Sequence, residues 1–166
     1  MGLLLSLGSM KYASMLKSRA THLLLVDDNQ NGLLARKSLL EEQGFVITTA
    51  TNGEEAFDAF SKGKFDLLVT DFRMPKMNGI ELIRSIRPLQ PHLPIILLSG
   101  FAEALGLDSK STGADIVINK GANEVANLQR SVVRLLARHM ARKPPSTNRP
   151  PGARIRFRCG ASSFRV

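Results

Sequence analysis

The chain of 166 residues contains a single cysteine, Cys159. No internal disulfide can form, which matches a reducing, cytoplasmic setting. No apolar run approaches the ~18–20 residues that a membrane-spanning helix needs. Acid is missing from both ends: all 14 Asp and Glu lie between Asp27 and Glu124. Residues 1–20 and 141–166 carry 3 and 7 Lys or Arg, whereas residues 21–140 carry 13 against the 14 acids, a net of −1. The formal charge of +9 therefore belongs to the ends, and the body between them is near neutral. The length suits one domain with a sizeable core, and 43% apolar residues is ordinary for a globular chain.

Both ends read as appendages. Met1-Gly2-Leu3-Leu4-Leu5-Ser6 fits the loose pattern for N-myristoylation. No basic stretch precedes its short apolar run, so it departs from a signal peptide. With Met10 and Met15 as alternative starts, residues 1–20 read as a flexible N-terminal extension. After Ala141 the stretch from Lys143 to Gly152 is too rich in proline and polar residues to build a core. Arg154-Ile155-Arg156-Phe157-Arg158 alternates charge with apolar side chains, a pattern open to nucleic acid or membrane but read first as that of a solvated tail. Residues 141–166 are thus expected to be a disordered, basic Pro/Arg-rich tail.

Between the ends, apolar runs alternate with helical periodicity. His22–Val26 is a continuous apolar run, as in a strand buried on both faces. Asn29 or Asn31 can cap a helix reaching about Gln43, with Leu33, Leu39 and Leu40 on its buried side and Gly44 as its stop. Residues 45–49 read as a strand. Asn52-Gly53-Glu54-Glu55 opens a second helix carrying Ala56, Phe57 and Phe60, which ends near Gly63. Residues 65–70 form a third strand. Asn78 can cap a helix with Ile80, Leu82, Ile83 and Ile86 on one side. A strand follows over 94–98, then a weakly patterned helix around 102–109 and a strand over 115–118. The last helix runs from about Asn123 to His139, with Val125, Leu128, Val132 and Leu135 at helical spacing. Five strands each followed by a helix predict a parallel α/β sheet with helices on both faces.

Asp27 and Asp28 end the first apolar run, and Asp71 ends the third. In such a sheet ligands bind outside the carboxyl ends of the strands. One Asp at a strand end is usually a turn former or cap. Three delivered to one edge concentrate negative charge, which a cation must neutralise, and oxygen-only ligands suit Mg2+. Ser99 and Lys120 follow the next two runs. Taken alone, each is an ordinary capping hydroxyl or surface charge. Together with the acids they describe a site that binds a metal and handles a phosphoryl group.

These residues carry a family likeness. Val26-Asp27-Asp28-Asn29, the run Val69-Thr70-Asp71-Phe72-Arg73-Met74-Pro75-Lys76-Met77-Asn78-Gly79, Leu98-Ser99-Gly100 and Asn119-Lys120 resemble the response-regulator receiver domain of two-component signalling, over residues 21–140. The resemblance implies a flavodoxin-like, doubly wound sheet of order 2-1-3-4-5. It implies that Asp71 takes a phosphoryl group from phosphohistidine on a sensor histidine kinase or a histidine phosphotransfer protein. Asp28 would hold Mg2+ directly and Asp27 through water, with Asp71 and the Arg73 carbonyl completing the ligands; Ser99 and Lys120 would engage the phosphoryl oxygens. Phosphoryl transfer needs charge neutralisation and in-line positioning, which these groups supply.

Two positions depart from the family. The residue after its lysine is usually a cis proline; here it is Gly121, and a trans or mobile peptide is expected, since cis costs ~3 kcal/mol without proline. Val117 stands where many members carry Tyr or Phe, so switching would run through Ser99 and the backbone, with Phe101 a candidate cover for the site. Leu34 is a candidate kinase contact or an ordinary exposed leucine. Arg130, Arg134 and Arg138 mark an output surface or a solvated face.

The expected function is a stand-alone, cytoplasmic, Mg2+-dependent phosphoacceptor, not an enzyme acting on a separate substrate, which switches an unknown protein partner. No DNA-binding domain is expected in so short a tail, unless the chain is cut from a hybrid kinase. The alternatives are a receiver-like interaction module that signals without phosphorylation, nucleic-acid binding through the tail, and a phosphohydrolase. The last wants a general acid two residues after its nucleophile, and Arg73 cannot serve.

Overall fold

The computed structural model describes residues 20–102 and 104–142. The expectations for the lipidation pattern, the Pro-rich segment and the Arg/Phe segment lie outside the described residues. In chain order the elements are β1 (His22–Val26), α1 (Gln30–Glu41), β2 (Val46–Ala50), α2 (Gly53–Lys62), β3 (Leu67–Asp71), α3 (Gly79–Ile86), β4 (Ile95–Ser99), α4 (Ser109–Thr112), β5 (Ile116–Asn119) and α5 (Glu124–Arg142). The five strands make one parallel sheet of order β2-β1-β3-β4-β5, as the family likeness implied.

Strand periodicity divides the core in two. Leu23, Leu25, Leu67, Val69, Ile96 and Leu98 point to one face, where Leu33 and Leu40 of α1 and Leu128, Val132, Leu135 and Leu136 of α5 cover them. Leu24, Val26, Leu68, Ile95 and Leu97 point to the other, under Ala56 and Phe60 of α2 and Leu82, Ile83 and Ile86 of α3. Both faces of the central strands are covered, so their middles, Leu23–Val26, Leu67–Val69 and Ile95–Leu98, are apolar without a break, and polar residues stand only at the strand ends.

Local chemistry sets the helix starts. Asn29 rather than Asn31 caps α1, accepting from the Gly32 amide. Asn52 caps α2, and Asn78 forms a reciprocal capping box with Glu81 at the start of α3. Two apolar expectations are corrected. Leu39 is only half-buried, and Val125 is exposed because contact between α5 and the core begins at Leu128.

Among the described residues, 102 and 104–108 form no helix, although one was expected over 102–109. Leu105 donates to the Phe101 carbonyl and Leu107 to that of Ala102, with Gly106 left-handed at φ 59°. That is a helix-terminating pattern closed after a single turn. Asp108 then starts the short α4, accepting from the Ser111 amide. The weak apolar pattern thus conceals a stop followed by a start.

One close approach positions the loop after β3. The Gly79 amide donates to the Phe72 carbonyl at 3.0 Å. A Cβ at residue 79 would collide with the Asp71 carbonyl oxygen and press on Leu97. Gly79→Ala should therefore lower stability by about 1–3 kcal/mol through overpacking, read as a reduced urea midpoint with an unchanged slope.

Candidate functional site

The pairing of β1 with β3 builds the site. Leu23 lies beside Leu67 and Val26 beside Thr70, and the same step brings Asp27 alongside Asp71. The two strands flanking the point where the chain changes direction thus each deliver a carboxylate to the same crevice. Asp28 follows at the exposed rim. One oxygen from each of Asp27, Asp28 and Asp71 lies within 4.8 Å of the others.

Lys120, just beyond β5, reaches back over β4. Its Nζ lies 2.9 Å from Asp71 Oδ1 and 3.1 Å from Asp27 Oδ2. Its amide donates to the Ser99 carbonyl at 2.8 Å, which ties the ends of β4 and β5 together. Ser99 is the buried last residue of β4, and its Oγ accepts from the Phe101 amide at 3.2 Å. The Arg73 guanidinium lies over the Phe101 ring, 4.5 Å from its centroid. Beside them an open groove of ≈ 660 Å³ runs past Asp28, Met74 and Leu105.

This arrangement of three acids, a lysine and a hydroxyl at the carboxyl edge of a 2-1-3-4-5 sheet has a counterpart among known proteins. The family described as "Response regulator receiver domain" matches residues 23–132. The chain belongs to the response-regulator receiver family. The receiver is 32% identical over 117 residues to the uncharacterized transcriptional regulatory protein YkoG of Bacillus subtilis (strain 168), covering 70% of this chain and 48% of that one. It thus spans about half of that relative. It is 38% identical over 99 residues to the response regulator receiver protein CpdR of Brucella abortus, covering 59% of this chain and 82% of that protein. Among solved structures it resembles TrrA of Thermotoga maritima in complex with Mg2+–BeF, with TM-score 0.63 and 35% identity, covering 69% of this chain and 98% of that one.

In this receiver the charges of the site lie in direct contact. Burial pushes the Asp71 carboxyl above its ordinary range, and the nearby Asp27 charge adds to this, while Lys120 pulls it back. Asp27 is fully buried, yet both its oxygens are engaged: Oδ1 accepts from the Asn29 amide at 2.8 Å, and Oδ2 takes two cationic donors.

The second of those donors, Arg36 on α1, was not among the expected site residues. Its Nη1 lies 2.7 Å from Asp27 Oδ2 and its Nε 2.6 Å from Glu124 Oε1. On a helix with mixed polarity, an arginine reads as solvated surface. Only its spacing of four from Gly32, one turn earlier on the same face, hinted otherwise.

The other expected positions divide. Gly121 follows a trans peptide, since the described residues contain no cis bond. Val117 is half-buried against the α2/α3 side of the core. Leu34, Arg130, Arg134 and Arg138 are exposed. No described helix is long and apolar enough to cross a membrane.

The raised Asp71 carboxyl fixes the sign of a pH effect. The folded state keeps this proton where the unfolded chain has released it. Asp71's contribution to stability therefore falls as pH rises from the ordinary carboxylate value through the raised one. With divalent ions chelated, Asp71→Asn should unfold at a higher temperature than wild type at pH 7. That advantage should vanish below the ordinary carboxylate pKa, as read by thermal melts across pH.

Proposed function

We propose that this receiver is a cytoplasmic phosphoacceptor that takes a phosphoryl group from phosphohistidine onto Asp71 and changes its affinity for a protein partner in response. The observation that carries this reading is the meeting of Asp71 and Lys120 beside two further carboxylates at one sheet edge. An Asp71 oxygen attacks phosphorus, the O–P bond forms, and the N–P bond breaks with its electron pair leaving on the imidazole. Lys120 is a mobile point charge that can follow the oxygens of the transferred group. Ser99, at the end of β4, supplies a hydroxyl to them.

The donor set fits Mg2+: its members are oxygens, they converge, and two of the three acids are buried and need charge compensation. Asp28 would bind the ion directly, Asp27 through water, and Asp71 and the Arg73 carbonyl would complete the protein ligands. The ion would offset repulsion between the carboxylate and the incoming phosphate. The Mg2+–BeF complex of the Thermotoga relative supports this assignment. The phosphoryl donor would be a sensor histidine kinase or a histidine phosphotransfer protein, with exposed Leu34 on α1 a candidate contact. The output partner is a protein yet to be named.

A second reading has its own observation. Arg36 and Lys120 both reach Asp27 Oδ2 and offset its charge with the protein's own side chains, as suits a receiver-like module that binds its partner without phosphorylation.

The two readings separate in one experiment. Incubated with Mg2+ and acetyl phosphate, the wild type should gain the mass of one phosphoryl group in a base-labile adduct. Asp71→Asn and wild type in excess EDTA should not. A wild type that stays unmodified, while a control receiver is labelled, sinks the phosphoacceptor reading.

A further inference from the structure

Among the described residues of the site, Arg36 is a largely buried cation that phosphoryl transfer does not use. Its side chain is 10% exposed and Glu124 only 14%. Burial alone would pull its proton affinity down, but Glu124 and Asp27 hold it above the ordinary arginine value, so it stays charged. The planar fork has donors on separate edges, so one side chain can hold two carboxylates at once. Here those carboxylates come from different elements. Asp27 follows β1 in the metal cluster, and Glu124 is the first residue of α5.

The guanidinium lies over Gly32. Residue 32 lies one turn before Arg36, and long helical side chains point back toward the N-terminus. A Cβ on Gly32 would stand 2.9 Å from Arg36 Nη1, so the mobile end of the arginine would have to give way. Glycine is the residue that leaves this space, although it is a poorer helix former than alanine.

Asp27 Oδ2 is therefore a contested atom, already shared by Arg36 and Lys120. A divalent cation at the cluster repels both and competes for the same charge. Lys120 retains Asp71 as a partner, and Arg36 retains Glu124. We infer that Arg36 is a positioning residue that couples occupation of the Asp27–Asp28–Asp71 cluster to the start of α5, loosening from Asp27 and bearing on Glu124 when a divalent cation binds. This rests on the metal site proposed above. It gives a route from the site to α5 that needs no aromatic ring at position 117.

The test is a Mg2+ titration of the full-length, isotope-labelled chain followed by amide NMR, in wild type, Arg36→Met and Glu124→Gln. Glu124→Gln removes the charge that Arg36 would bear on and leaves the Asp27 contact in place. In wild type, amides at Asp27 and Asp28 and at Glu124 and Val125 should shift together. In both variants the Asp27 and Asp28 response should persist while that of residues 124 and 125 collapses. Mg2+ should bind Arg36→Met about tenfold more tightly, a coupling of ordinary size. An α5 response that persists in both variants overturns the inference and leaves the metal site standing. A wild type that shows no response at Asp27 and Asp28 overturns both. If Arg36→Met fails to fold, Glu124→Gln decides alone.

Discussion

Buried negative charge at the carboxyl edge of the sheet is the constraint around which this receiver is arranged. Asp27 and Asp71 sit on adjacent strands in near-complete burial, and Asp28 stands beside them. Carboxylates in such a place repel one another and lack water, and an unpaired one costs several kcal/mol. The fold answers with two cations from opposite directions. Lys120 arrives from the end of β5, and Arg36 reaches back along α1. Even with both in place, Asp71 holds its proton more tightly than an ordinary carboxylate.

The scaffold makes that concentration of charge tolerable. The strands carrying the acids are packed on both faces and cannot yield sideways. The segments carrying the compensating and covering groups are loops and helix faces. Arg73 and Phe101 come from the loops after β3 and β4 and stack on each other. Gly79 lets the loop after β3 press against the strand it has just left. The acids thus sit at the ends of strands packed from both faces, and the cationic and covering groups come from the loops and helix faces around them.

Val117 and Gly121 stand where many receivers carry an aromatic and a proline, and this bears on the coupling proposed through Arg36. Val117 packs into the α2/α3 side of the core. The Arg36–Glu124 contact runs on the opposite side, between α1 and α5. The exposed arginines of α5 continue from that same helix start, so a displacement of Glu124 would reach a surface that a partner can read.

Much of this protein was legible in its residues. The five strands, four of the helices and the edge on which Asp27, Asp28, Asp71, Ser99 and Lys120 gather follow from local patterns: apolar runs, Asn caps and the residues that end each run. The stop and restart within 101–112 was written locally too, in Gly106 and Asp108, but a weak apolar period masked it. Tertiary structure alone decided which charges compensate which. Arg36 and Glu124 stand 88 residues apart in the chain, and each belongs to a helix whose sequence gives it an ordinary polar position. Their meeting over Asp27 depends on how α1 and α5 pack on the same face of the sheet. Periodicity tells which side of a helix is apolar; it does not tell which neighbour a long, flexible guanidinium will find at the edge of that side.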